Sequence, residues 1–210
     1  MKTLFSIILI LSSLCASANN YTETMKTSID KLFKAKTVAE LDQLASLFYR
    51  IGEKEQSEWL PYYYAAYAHT HSTFFMNDAD SIDVVLDKAQ ATLDQLLKKK
   101  EDESEVHVLQ ALIYSLRITS ASRGFKYSSL SAEALTKAES LNANNPRIHY
   151  CRGNNVLHTP KMFGGGASKA LEHFKKAAEL YVVSKDENSL LPTWGEKHNR
   201  QMLEKCQARE

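Results

Sequence analysis

The chain has 210 residues, of which 44% are hydrophobic and 24% are charged, with only seven Gly and four Pro. This composition is typical of a globular protein of one or two domains, and it excludes collagen-like, intrinsically disordered and small disulfide-rich chains. The 26 Lys and Arg residues nearly balance the 25 Asp and Glu residues, so we expect no nucleic-acid partner and no electrostatic attraction to a membrane. Specificity must therefore come from local sites or from shape.

Residues 1–18 have the three parts of a secretory signal peptide. Lys2 precedes an apolar run that extends to Leu14, and small residues ending at Ala18 provide a cleavage site. The run is shorter than the roughly 20 apolar residues that span a bilayer. A lipid anchor on Cys15 is the less favoured alternative, because a lipobox has a small residue directly before its cysteine and this chain has Leu14 there. We therefore predict an exported protein, periplasmic or secreted, whose mature chain has no stable membrane span.

Cleavage would leave two cysteines, Cys151 and Cys206, in a compartment where a disulfide could persist. Two cysteines do not define a disulfide framework. Two separate, partly buried thiols are the favoured interpretation, and a bridge that ties the C-terminus to the body is the alternative.

Beyond the signal peptide, the hydrophobic pattern is helical. Apolar residues recur every three or four positions, as at Leu86, Ala89 and Leu93, and no comparable stretch alternates as a half-buried strand would. Thr37 followed by Glu40 has the form of a capping box, which starts a helix. The pattern predicts nine helices, over residues 22–35, 38–51, 55–75, 79–99, 103–121, 129–142, 146–158, 167–184 and 193–208.

One short pattern recurs in three of these helices. Leu86-Asp-Lys-Ala returns as Leu135-Thr-Lys-Ala and as Phe174-Lys-Lys-Ala. Small residues on the preceding helices would let the paired helices approach closely, while the large Leu or Phe fills the opposite groove. These small residues are Ala65 or Ala66, then Ala111, then Gly153.

These residues resemble the tetratricopeptide repeat (TPR), a helix pair with Gly and Tyr in its first helix and Ala-x3-Phe in its second. Gly153, Ala170 and Phe174 match these places in the third unit, and Ala111 and Tyr114 take the Gly and Tyr places in the second. No unit has the consensus Trp. The resemblance implies an all-α, right-handed helical solenoid of about three helix pairs.

The TPR pattern also predicts the organisation of the chain. We expect N-terminal helices over residues 19–54, TPR-like helical repeats over 55–191 and a C-terminal capping helix over 192–210. The cap would cover the end of the solenoid, which cannot be left exposed.

Each unit has more residues between its two helices than a TPR has. The added residues lie at His69–Asp80, Ser120–Ser128 and Thr159–Ala167. Turns within the units of a solenoid lie on one edge, so three enlarged turns should form a single rim. Over about residues 55–208, the repeat pattern and the loop placement are similar to those of exported bacterial TPR proteins, including the TPR partner proteins of TRAP-type solute transporters.

The third of these turns contains three consecutive glycines, Gly164–Gly166. Before a helix they could present backbone amides to an anion. The segment is not a P-loop, because no strand precedes it and no Gly-Lys-Ser/Thr follows. The favoured interpretation is a tight turn between packed helices, with Phe163 filling the core. Contact with a ligand or a protein is the alternative.

No catalytic or metal-binding motif stands out. The sequence has no Gly-x-Ser-x-Gly, no His-Glu-x2-His and no Rossmann glycine pattern, so we predict a protein that is not an enzyme and has no cofactor. His69 and His71 are two residues apart and would lie on different faces of a helix, where they could not chelate a metal together. The same separation argues against a Cys151–His149 pair as a catalytic dyad.

The helix predicted from residue 55 contains four tyrosines between Trp59 and Tyr67. Consecutive tyrosines on a helix face different directions, so some should line the core and others the concave surface or the rim. We therefore predict a non-catalytic scaffold that binds a protein or peptide partner in the bacterial envelope. The alternative is a small-solute-binding or transporter-associated subunit with a pocket formed by the inserted turns. Candidate contacts are Tyr63, Tyr67, Arg123, Lys126, Lys161, Phe163, Gly164, Gly165 and Gly166.

Overall fold

A computed structural model describes residues 20–184 and 190–209. The predicted signal peptide, with the lipid-anchor alternative at Cys15, lies outside these residues. The described part of the chain contains nine α-helices and no strand, and none of its helices is long and apolar enough to cross a bilayer. The helices are α1 (20–34), α2 (Val38–Lys54), α3 (Leu60–Ser72), α4 (Ala79–Leu97), α5 (Ser104–Leu116), α6 (Ala121–Leu141), α7 (Pro146–His158), α8 (Ala167–Val183) and α9 (Glu196–Gln207).

Local signals start several of these helices. The predicted capping box is present at α2, where the Thr37 side chain accepts from the Glu40 amide and the Glu40 carboxylate accepts from the Thr37 amide. Asp78 caps α4, and Asn145 caps α7, whose first residue is Pro146. Each cap satisfies backbone amides that have no partner within the first turn.

The helices pack in neighbouring pairs, α3 with α4, α5 with α6 and α7 with α8. The first helices of these pairs also contact one another, α3 with α5 and α5 with α7, and we call the surface that they form the inner face. Helix α2 packs against α3 at one end of the stack, and α9 packs against α8 at the other. The predicted all-α stack of helix pairs is confirmed.

Small residues set the close approach of the paired helices. A Cβ atom on Gly153 of α7 would lie 2.6 Å from Cε1 of Phe174 on α8, and the Phe174 side chain is completely buried. Leu86 and Leu135, which take the place of Phe174 in the other two pairs, are equally buried. The recurring pattern thus identified the residues at which the helices of each pair meet.

The second enlarged turn was predicted wrongly. Helix α6 begins at Ala121 instead of residue 129, so the added residues extend a helix and leave a short turn before it. Arg123 in this extension binds Asp83 of α4 at 2.8 Å, which anchors the added helical turns to the neighbouring pair. In the first unit, α3 runs to Ser72, and a single 3-10 turn at Thr73–Phe75 precedes α4.

The two cysteines lie in different hydrophobic clusters. Cys151 belongs to the large core of α1 to α7, and Cys206 belongs to a smaller cluster between α8 and α9. No disulfide joins these two described residues, so the bridge is wrong. The cysteines are separate, as favoured, but both are buried rather than only partly buried. Burial raises the pKa of the Cys151 thiol to about 12, which leaves it unreactive at neutral pH.

Candidate ligand-binding rim

A segment of the chain itself covers the inner face. We call residues 190–195, which precede α9, the strap. Within the strap, Trp194 donates from Nε1 to the Tyr63 hydroxyl at 2.8 Å. Its ring stacks on Tyr67 with 5.3 Å between the ring centroids. The strap thus lies directly on the tyrosine-rich side of α3.

A buried ion pair holds the middle of the strap. The Arg147 guanidinium on α7 binds the Glu105 carboxylate of α5 at 2.9 Å and donates to the Pro192 carbonyl. It also lies over the Trp194 ring, 5.7 Å from the centroid. Both charges are paired and hydrogen-bonded, as buried charges must be, so they anchor the strap to two helices of the inner face.

The strap changes the assignment of two candidate contacts. Tyr63 and Tyr67 are 0% and 4% exposed, because the chain's own Trp194 occupies the surface on which a partner was expected. The expectation that these two tyrosines are accessible on the concave surface is therefore wrong. Covering an apolar inner face with an aromatic side chain removes apolar surface from water and stabilises the folded state. Here that group is Trp194, whose carbonyl accepts a hydrogen bond from the Tyr181 hydroxyl of α8 at 3.1 Å.

In a stack of helix pairs the turns within the pairs follow one edge, and side-chain contacts connect neighbouring pairs near these turns. We define the rim as residues 73–78, 117–128 and 159–166. Arg117 at the end of α5 binds Asp87 of α4 at 2.7 Å, which joins the second turn to the first pair. Further contacts join the second pair to the third, and they involve the side chains of Ser115, Ser131 and Asn155 at 2.8–2.9 Å.

Large apolar side chains are exposed on each part of the rim. Phe125 is 87% exposed, Met162 is 83% exposed and Phe163 is 73% exposed. Phe74 and Phe75 on the first turn are 59% and 43% exposed. Phe163 therefore does not fill the core, contrary to the favoured interpretation of its turn. Large exposed apolar groups on neighbouring turns are characteristic of binding sites.

Cationic side chains accompany these apolar groups. Lys126 and Lys161 of the rim take part in no ion pair found among the described residues. Lys126 Nζ lies 5.2 Å from the centroid of the Tyr127 ring. Arg117 and Arg123, in contrast, are engaged by aspartates of α4, so their charges are already neutralised. The two lysines are thus the rim cations available to a negatively charged group.

The three glycine amides of the third turn are not available to an anion. Each donates to a carbonyl of the chain itself, at 2.9–3.2 Å. Gly164 and Gly166 have positive φ angles of 87° and 111°, and a Cβ on Gly165 would lie 2.0 Å from the Thr159 carbonyl oxygen. The interpretation as a tight turn is confirmed, and the amide-based anion site is wrong.

His71 connects the rim to the inner face. Its ring stacks on Tyr67 at 5.7 Å and contacts the edges of Phe74 at 5.6 Å and Phe75 at 5.9 Å. Burial lowers the pKa of its imidazole, and its buried Nδ1 has no hydrogen-bond partner among the described residues. This aromatic cluster was missed in the sequence. The available signal was the spacing of four between Tyr67, His71 and Phe75, which places them on one side of a helix.

His69 lies elsewhere, with its Nδ1 3.8 Å from Asp42. The two histidines therefore face different neighbours, as their spacing predicted. Within residues 20–184 and 190–209, no group of three or more His, Cys, Asp or Glu side chains is arranged to hold a metal ion.

The fold is shared with a protein of known structure. The HusA haemophore from Porphyromonas gingivalis is 30% identical to this chain, with a TM-score of 0.81, and the match covers 90% of this chain and 94% of that one. The chain belongs to the family of the HusA haemophore. At this identity and coverage, the two proteins share the α-helical stack over almost their whole length.

A second solved structure, a thermophilic TPR protein from Thermus thermophilus, has a TM-score of 0.59 at 15% identity and covers 90% of this chain and 82% of that one. At this identity the likeness concerns the fold alone, and it supports the TPR-like arrangement. No protein-family profile and no curated protein sequence matches the chain.

Proposed function

We propose that this protein binds a haem-type tetrapyrrole on the rim and serves as a haemophore. The observation that carries the proposal is the exposure of Phe125, Met162 and Phe163 next to lysines without ion-pair partners among the described residues, in a chain 30% identical to a haemophore. Haem is a flat apolar macrocycle with two propionate carboxylates. Exposed rings and thioethers suit the macrocycle, and ammonium groups suit the carboxylates.

The charges of the rim suggest an orientation for the ligand. Asp78 and Asp80 lie at the start of α4 beside the first turn, whereas Lys126 and Lys161 lie on the second and third turns. Carboxylates would be repelled by the first turn and attracted by the other two. We therefore place the propionates near Lys126 and Lys161, with the macrocycle against the exposed phenylalanines.

We favour binding of a small solute over binding of a peptide. The peptide hypothesis required an open inner face, and the strap covers that face through Trp194. The two structural neighbours are described as a haemophore and a TPR protein, which supports a binding role over a catalytic one. We propose that the protein acts outside the cytoplasm, in line with the signal peptide predicted over residues 1–18. Association with a solute transporter stays a prediction.

Hemin titration tests the proposal. The Phe125→Ser, Phe163→Ser double variant should bind hemin at least about tenfold more weakly, because each ring loses roughly 1 kcal/mol of apolar contact. Both rings are exposed in the folded protein, so the variant should keep its helical circular dichroism. The measurement is the dissociation constant from Soret absorbance.

A matched control uses two exposed apolar residues outside the rim. Val182 and Val183 at the end of α8 are 70% and 76% exposed, and their double substitution by Ser should leave hemin affinity unchanged. Wild-type affinity in the phenylalanine variant, or equal weakening in the valine variant, would show that the rim is not the site.

The lysines are tested separately. Lys126→Gln with Lys161→Gln should weaken hemin binding and reduce its dependence on salt, since the charge attraction to the propionates is lost. The same variant should bind hemin dimethyl ester as the wild type does. Equal losses for hemin and its ester would argue against propionate recognition by these lysines.

A further inference from the structure

We infer that the strap and the rim are coupled, so that changes at the rim alter how firmly Trp194 is held on the inner face. The inference adds regulation to the proposed site and rests on the proposed function for its ligand. Its first test needs no ligand, because the coupling is a property of the packed rings.

A ladder of rings joins the two places. The Trp194 and Tyr67 ring planes are 20° apart, and the Tyr67 and His71 planes are 15° apart. The exposed Phe74 and Phe75 rings then contact His71 by their edges. Closely packed groups move together because a gap at any contact forfeits dispersion energy. A displacement at the first turn of the rim is therefore passed on to the strap.

His71 is a step of the ladder whose buried Nδ1 is not fixed by a hydrogen bond to the described residues. Its side chain is half-buried. Ring contacts from Tyr67 on one side and the two phenylalanines on the other thus set its orientation. A ligand that covers Phe74 or Phe75 changes the packing on one of these sides.

The strap has other attachments that keep it in place during such a change. Its Leu190 carbonyl accepts from the Tyr64 hydroxyl at 2.9 Å, and its Pro192 carbonyl accepts from Arg147. The Trp194 carbonyl accepts from Tyr181. We therefore expect a change in the local opening of the strap, measured as amide exchange, rather than its release.

The first experiment compares two histidine variants without ligand. His71→Ala removes one step of the ladder, and hydrogen–deuterium exchange of residues 190–195 should become several-fold faster. His69→Ala is the matched control, since it removes the same side chain from the same helix but on the side of Asp42. Strap exchange in this control should equal that of the wild type. Equal strap exchange in His71→Ala and the wild type would overturn the coupling.

A second variant distinguishes local opening of the strap from a general loss of stability in His71→Ala. Phe74→Ser changes only an exposed ring and should accelerate strap exchange in the same direction, with unchanged exchange in α8. Acceleration spread evenly over the molecule would indicate global destabilisation and would also overturn the inference.

The second experiment adds hemin. Binding should slow strap exchange in the wild type but not in His71→Ala. By reciprocity, Trp194→Leu should weaken hemin binding about fivefold or more. The control Tyr49→Leu changes a ring that packs on Tyr62, outside the ladder, and it should leave hemin affinity unchanged.

These results separate the two proposals. Hemin binding that responds to the rim variants while strap exchange responds to neither hemin nor His71→Ala would overturn the coupling and leave the proposed function standing. Absence of hemin binding to the wild type, with faster strap exchange in His71→Ala, would overturn the function and support the coupling.

Discussion

At the scale of single residues, two glycines show how much depends on the space around a side chain. Gly153 faces the buried ring of Phe174, which leaves no room for a methyl group. Gly124 on α6 has nothing within 4 Å of the position that a Cβ would take. The same residue type thus has a packing role at one position and none at the other.

This contrast gives a paired prediction. Gly153→Ala should lower the free energy of unfolding by about 1–2 kcal/mol, because overpacking costs about 1–3 kcal/mol and improved helix propensity returns up to about 1 kcal/mol. Gly124→Ala should raise it by up to about 1 kcal/mol. Urea unfolding followed by circular dichroism measures both. A Gly153→Ala variant as stable as Gly124→Ala would contradict the close approach of α7 and α8.

At the scale of elements, α9 lies at the end of the stack for which a capping helix was predicted. It packs on α8, where Asn199 donates to the Phe174 carbonyl at 3.0 Å and Cys206 is completely buried. The helix begins at Glu196, not at residue 193 as predicted. Gly195 has a φ of 98°, a conformation that favours glycine, and the preceding Trp194 belongs to the strap.

Truncation tests the role of α9 as a cap. A chain that ends at Gly195 keeps the strap but exposes the cluster around Leu171 and Phe174. The lost apolar burial should lower the free energy of unfolding by about 4 kcal/mol and the melting temperature by roughly 10 °C. A chain that ends at Gln207, the last residue of α9, is the control and should melt as the full chain does. Equal melting of both truncated chains would refute the capping role of α9.

At the scale of the whole molecule, burial of histidines makes stability depend on pH. Burial lowers the pKa of five imidazoles, which belong to His69, His71, His149, His173 and His198. The unfolded chain binds these protons near pH 6.5, and the folded chain binds them only at lower pH. Their contribution to stability is therefore complete above about pH 6.5 and is lost as the pH falls through the lowered values.

We expect the free energy of unfolding to fall between about pH 7 and pH 5 by roughly 1–2 kcal/mol, allowing for solvent screening of the half-buried rings. His149 and His173 stack at 6.3 Å, and Arg152 further lowers the pKa of both. The His149→Gln, His173→Gln variant should therefore lose less stability over this range. Urea unfolding at constant ionic strength measures the difference. Identical pH dependence of variant and wild type would contradict the prediction.

The sequence by itself determined the helices, most of their ends and the residues at which paired helices meet. These features depend on periodicity, caps and small residues, whose effects act within a few turns of helix, so they could be predicted at positions such as Thr37 and Gly153. The start of α6 was misjudged because a contact outside the helix, from Arg123 to Asp83, supports its first turns.

Only the tertiary structure decided which surface is available for binding. Trp194 and Tyr63 are 131 residues apart in the chain, and no local pattern relates them. Their contact closes the inner face and buries the tyrosines that were expected to bind a partner. Phe125 and Phe163 remain exposed for the complementary reason that no other segment reaches the rim among the described residues. Burial of a side chain is a property of everything packed around it, whereas helix formation is largely a property of its near neighbours in sequence.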